Sequence, residues 1–141
     1  MALTAEVTNH FKYLLATGGV DFSSDEFKII LMNDTYTFDK DNDTTLSGVT
    51  ADQLATANGY TQDSYVLQGV SVSEDDSNDR ARITWEDPSW TATSGNIGPT
   101  GSSIVYNNTV SGTAVLGCIT FDKSYTISST FVVEDIAFNL N

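Results

Sequence analysis

Several common kinds of chemistry lack their raw materials in this chain. Its 141 residues include one cysteine, one histidine, two prolines and six lysines and arginines, against nineteen aspartates and glutamates. A single cysteine, Cys118, forbids an internal disulfide, and its apolar setting "AVLGCITF" reads as a small buried hydrophobe rather than a nucleophile. A single histidine, His10, forbids a histidine-built metal centre and removes the usual base of a catalytic triad. The net charge of −13 leaves no basic face for nucleic acid, whose binding rests on counterion release, and disfavours an anionic membrane. No apolar run approaches the roughly 20 residues of a membrane-spanning helix, and no basic-then-apolar leader opens the sequence, so the reading is a protein folded in a cytoplasm. Phosphate-binding loops, dinucleotide fingerprints and nucleophile elbows are also missing.

What the chain has is enough to build a core. Hydrophobic residues make up 40% and aromatics 11%, and a chain this long hides roughly two-thirds of the surface it exposes unfolded. With two prolines and no linker-like stretch, residues 1–141 read as one domain.

The first element reads as a helix over about 4–16. Leu3, Val7, Phe11, Leu14 and Leu15 draw one apolar stripe, Thr4 can cap its start, and Gly18-Gly19 can end it. After Val20 the pattern becomes strand and turn. "EFKIILMN" is apolar on both faces, as in a strand covered on both sides. "SYVLQGVSVS" puts Val66, Val70 and Val72 on one face. "RARITWE" alternates, with Ala81, Ile83 and Trp85 facing in. Further strands are expected at Ser103 to Tyr106, Ala114 to Phe121, Thr130 to Val133, and Ile136 to Leu140. The fold class that follows is all-β, an antiparallel β-sandwich or jelly-roll-like barrel with one short N-terminal α-helix. Residues 34–63 are the exception: too long for a plain hairpin loop, they are expected to hold a short helix near Thr50 to Ala57 and to form an interface.

Two acidic clusters invite a site. Asp39, Asp41 and Asp43 occupy the one-three-five positions of a calcium-binding loop, but Thr44 replaces the required Gly and Thr50 the bidentate Glu, so no metal is assigned. In "VSEDDSNDRAR" the run from Ser73 to Asp79 lies between two alternating segments and reads as a chain reversal built from turn-forming Asp, Ser and Asn. No aligned partner for a catalytic carboxylate pair is visible, and no catalytic residue or cofactor is assigned. Trp85 reads as core. Tyr36 and Phe38 in the acidic loop, and Trp90 after Asp87-Pro88, are candidate anchors for a partner surface.

The order of elements carries a resemblance. A short N-terminal helix, "FKIILMNDTYTFDKD", the Gly59-Tyr60-Thr61 turn, and "EDDSNDRARITWEDPSWT" with Asp75-Asp76, Asp79-Arg80-Ala81 and Trp85 or Trp90 precede a closing apolar strand. Over nearly the whole chain this resembles a family of small virion structural proteins of tailed bacteriophages, of the capsid decoration (cement) type. "NIGPTGSSIVYNN" departs from it by lacking an early Arg. The resemblance implies a non-enzymatic protein of the virion that binds the major capsid protein on the outer shell. A homo-oligomer, with a trimer favoured, suits shell symmetry. A second reading is a tail or fibre-associated carbohydrate- or receptor-binding module using Trp90 and Tyr106 as stacking platforms. A third is a polysaccharide hydrolase relying on two carboxylates.

Overall fold

A computed structural model describes all 141 residues and confirms an all-β, antiparallel chain. Ten strands form three sheets. The largest has the order β1-β8-β7-β2-β3, from β1 (Leu3–Val7), β8 (Val115–Ile127), β7 (Ile97–Asn107), β2 (Phe27–Asn33) and β3 (Tyr65–Val66). A three-stranded sheet joins β10 (Ala137–Leu140), β5 (Arg80–Thr84) and β4 (Ser71–Asp75), and a two-stranded ribbon pairs β6 (Ser89–Thr91) with β9 (Thr130–Val132).

The five-stranded sheet is buried on both faces, which is why "FKIILMN" lacks polar alternation. On its front face Phe27, Ile29, Leu31, Val105 and Ile119 join Ile83 and Trp85, Trp90 and Phe131, and Phe138 from the smaller sheets in the main core. On its back face Ile30, Met32, Ile104, Tyr106, Val115 and Cys118 form a second, smaller cluster. Strand alternation explains the division on β2. On β8 it needs one further device. Val105 pairs with Gly117 and Tyr106 with Val115, so Leu116 is the extra residue of a β-bulge. The bulge lets Val115 and Cys118, three residues apart, share the back face while Leu116 turns to the front.

The N-terminus departs from the expected helix over 4–16. Residues Leu3–Val7 are the edge strand β1, paired with β8, and the helix α1 runs Asn9–Thr17. Its cap is Thr8, not Thr4: the Thr8 hydroxyl accepts the Phe11 amide at 2.9 Å. The same hydroxyl donates to the Val115 carbonyl at 2.9 Å, and the Thr8 amide to Leu116 O at 2.9 Å. One buried threonine thus ends a strand, starts a helix and pins the bulge. Gly18, in the left-handed region at φ 75°, closes the helix as expected.

Two further expectations change. Val66, Val70 and Val72 do not share an inward face, because the chain leaves the large sheet after β3, turns at Gly69 (φ +66°), and joins the three-stranded sheet as β4. Val72 is 51% exposed there. The short helix of the long loop, α2, lies at Leu46–Val49 and continues into a 3-10 turn at Thr50–Asp52, so the N-terminal helix is not the only one.

Candidate functional site

The loop of residues 34–63 is a cover for the back face of the sheet. Val49 is fully buried, and Tyr36, Phe38 and Leu46 pack against the small cluster. Backbone bonds fasten it: Leu46 N to Thr113 O and Val115 N to Thr44 O, both 3.0 Å, and Asn9 N to Lys40 O at 3.1 Å. Farther along, Leu54 N bonds Leu31 O at 3.0 Å, and the Tyr60 hydroxyl receives the Leu31 amide. The loop therefore continues the edge where the two-residue β3 stops.

The acidic residues of this loop do not converge. Asp39 accepts the Asp41 amide at 3.0 Å and the Asn42 side chain at 2.8 Å, and these bonds, led by Asn42, hold its carboxyl below the usual range. Asp41 faces the Asn9 side chain. Asp43 accepts the Tyr36 hydroxyl at 2.6 Å and the Asp39 amide at 2.9 Å. Burial and then the Asp43 bond raise the Tyr36 phenol well above its ordinary value. No three His, Cys, Asp or Glu side chains come close enough together to hold a metal ion.

The second acidic cluster is the reversal between β4 and β5. Asp75 pairs with Arg80 across the hairpin, and Asp79 takes the left-handed conformation at φ 51°. Asp75 binds the Asn78 side chain at 2.9 Å and Arg80 Nε at 2.8 Å, the causes, in that order, of its lowered pKa. A single turn of Asp76–Asn78 spans the gap.

The three candidate anchors separate. Tyr36 and Phe38 are half-buried against the sheet. Trp90 is only 6% exposed: it faces inward from β6 and its ring lies 5.1 Å from Tyr65 and 6.5 Å from Phe131. It is a core residue, because the ribbon β6-β9 alternates like any strand pair, and the expectation of a surface anchor there is corrected. Tyr106 is fully buried and is likewise no stacking platform. The large apolar side chains that do face solvent are Met1, Tyr13 and Val72. Tyr13, on α1, is 61% exposed and stacks on His10. The assumed helical stripe drew attention to the other face of α1.

The largest cleft, about 370 Å³, opens beside the loop. Its floor is the polar end of the sheet's back face, where Ser102 of β7 pairs with Thr120 of β8, and Glu6 of β1 with Cys118. Asp34, Lys123 and Ser124 rim it, and Tyr36 and Phe38 form its loop wall. The Ser124 hydroxyl donates to Asp34 at 3.0 Å. Ser102 is 4% exposed, and its hydroxyl, beside the Cys118 thiol, has no oxygen or nitrogen partner. Sequence reasoning passed over this group, although a signal existed: in "GSSIVY" Ser102 shares its strand face with Ile104 and Tyr106, a polar residue on an apolar stripe.

No protein-family model, curated protein or solved structure matches the chain.

Proposed function

We propose that this protein is a non-enzymatic structural component of a tailed-phage virion that decorates and stabilises the outside of the capsid, bound to the major capsid protein as a trimer. One observation supports this reading above others: aspartates at several points along the chain are spent on bonds to their neighbours in sequence. Asp21 holds Ser23 and Ser24, Asp39 holds Asp41 and Asn42, Asp75 holds Asn78 and Arg80, and Asp122 holds Tyr125. Carboxylates used this way give a rigid, strongly negative shell around a β core, suited to close packing on a lattice without self-association in solution. In this reading the three-stranded sheet and the ribbon pack on the front of the large sheet as the second layer of a β-sandwich. A ligand that binds an intact lattice and not a disrupted one stabilises it by linkage.

The contacts in this reading are the exposed apolar residues Tyr13 and Val72 together with the half-exposed Tyr36 and Phe38. The deciding experiment is quantitative mass spectrometry of purified virions. A molar ratio near one to the major capsid protein supports decoration. A ratio of a few per hundred, or absence, overturns it.

A further inference from the structure

The back face of the large sheet changes character along its strands. Where Ile30, Ile104, Val115 and Tyr106 face outward, the loop covers them. Where Ser102, Thr120 and Glu6 take over, the cover stops and the cleft begins. A loop that buried this polar end would have to satisfy its hydroxyls, and it does not. The Ser102 hydroxyl is instead left buried beside the Cys118 thiol with no oxygen or nitrogen partner, and, unlike the equally unpartnered Ser103 and Tyr106 hydroxyls, it belongs to a residue lining the cleft. Buried hydroxyls are seldom left this way, because an unmade bond forfeits the cost of desolvation.

From this arrangement we infer that the cleft is a binding site for a neutral, polyhydroxylated ligand of pyranose size, a single sugar residue. Its volume lies at the small end of ligand pockets, which run from about 300 to 1,000 Å³. Its lining supplies acceptors in the Glu6 and Asp34 carboxylates and groups of both kinds in the Ser102, Thr120 and Ser124 hydroxyls, while the Lys123 ammonium is held over the Tyr125 ring at 5.3 Å. Ring hydroxyls, each donor and acceptor, use all of them. Tyr36 and Phe38 offer an apolar wall to the ring's C–H face. Two carboxylates disfavour an anion such as phosphate, and no third acid comes close enough to complete a metal site. The inference does not rest on capsid decoration: its test uses the free protein, and a sugar seated against Tyr36 and Phe38 is read independently of whether those two side chains also touch the shell.

The test uses the full chain, isotope-labelled, titrated with methyl β-D-galactopyranoside, methyl α-D-glucopyranoside and methyl α-D-mannopyranoside, with glycerol as the control, and followed by amide chemical shifts. The expected result is saturable binding of at least one glycoside, with a dissociation constant on the order of 1 mM for so small a ligand. The shifts centre on Gly101, Ser102, Thr120 and Phe121 and are absent with glycerol. Glu6→Gln, at an exposed side chain, is expected to weaken binding by about tenfold. Ser102→Ala weakens it several-fold with little change in melting temperature, because the hydroxyl's one internal neighbour is the weakly bonding Cys118 thiol. Failure of all three glycosides to saturate, shifts centred elsewhere, or equal shifts with glycerol would overturn the inference. So would Glu6→Gln and Ser102→Ala both binding like the parent.

Discussion

The hydroxyl of Tyr60 accepts the backbone amide of Leu31 at 3.0 Å, a side chain taking the place of a neighbouring strand. Leu31 lies in β2 beyond the point where β3 ends, and both residues are at most 2% exposed. Gln53 donates to the same oxygen at 2.9 Å. A buried strand amide must be paired, and here the long loop returns to pair it. The loop's shape is fixed by a debt of the sheet, which explains how thirty irregular residues can be held so closely.

Removing that oxygen should therefore cost more than an average hydrogen bond. Tyr60→Phe leaves the Leu31 amide and the Gln53 side chain unsatisfied in the interior, for a loss of about 2–6 kcal/mol, at about 1–3 kcal/mol for each orphaned donor. Urea denaturation monitored by tryptophan fluorescence checks this. A loss below 0.5 kcal/mol (roughly the scatter expected of surface substitutions) would show that water replaces the hydroxyl.

Gly117 of β8 is where β1 crosses closest. A Cβ there would collide with the Glu6 carbonyl oxygen and come within 2.9 Å of the Phe138 ring. Gly117→Ala is expected to force β1 off the sheet edge and destabilise the protein by about 1–3 kcal/mol, the usual range for overpacking. Amide exchange of Thr4 and Glu6, whose N–H groups face β8 in phase with the Thr8 amide that bonds Leu116, should quicken in the variant while that of Ile29 is unchanged in rank. Protection of β1 equal to that of the parent would rule this account out.

Acid stability has a defined direction. Asp21, Asp39, Asp75 and Asp122 are all lowered below 3.8 by bonds to their charged form, led respectively by Ser23, Asn42, Asn78 and Tyr125. A depressed carboxylate stabilises the fold fully above its unfolded pKa, and the contribution disappears as pH falls through the folded value. Protonation of other acids meanwhile relieves repulsion in a chain of net charge −13. The melting temperature should then peak near pH 4–5, as repulsion fades with the turn bonds still intact, and fall below about pH 4. Asp39→Asn with Asp75→Asn should flatten the fall on the acid side. An unchanged slope would mean these turns do not set acid stability.

Cys118 should be inert in the native state. Burial pushes its thiol up to about 11, and it lies 1% exposed beneath the cleft, with Thr120 Oγ1 at 3.8 Å. At pH 8 the thiolate is therefore scarce and shielded. A thiol-reactive chromogenic disulfide should label it only as fast as the protein unfolds, with full labelling in denaturant. Stoichiometric labelling within seconds under native conditions would contradict this burial.

Some elements were legible because their signals are local. The existence of a reversal before Arg80 was readable because Asp, Asn and Ser make their bonds within a few residues, as Asp75 and Asn78 do here. Its start was not: Ser73 to Asp75 belong to β4, and the chain turns only at Asp76 to Asp79. The alternation of Arg80 to Trp85 and the apolar run of β2 likewise report their own burial. The N-terminus was ambiguous for a definable reason. Leu3 and Val7 are four apart, a spacing that fits both a helical face and, being even, one face of a strand. Pairing of β1 with β8, remote in sequence, chose the strand.

Composition and local pattern determined that this chain is all-β, acidic, free of disulfides and turned by its aspartates, because those properties depend on residues that are neighbours in sequence. Only the tertiary structure decided that Trp90 is core, that Thr8 is a hinge bonded to the Leu116 bulge, and that residues 34–63 cover one face of a sheet and stop at Ser102. Each of these depends on which distant segment satisfies a buried amide, hydroxyl or ring, and no local pattern names that partner.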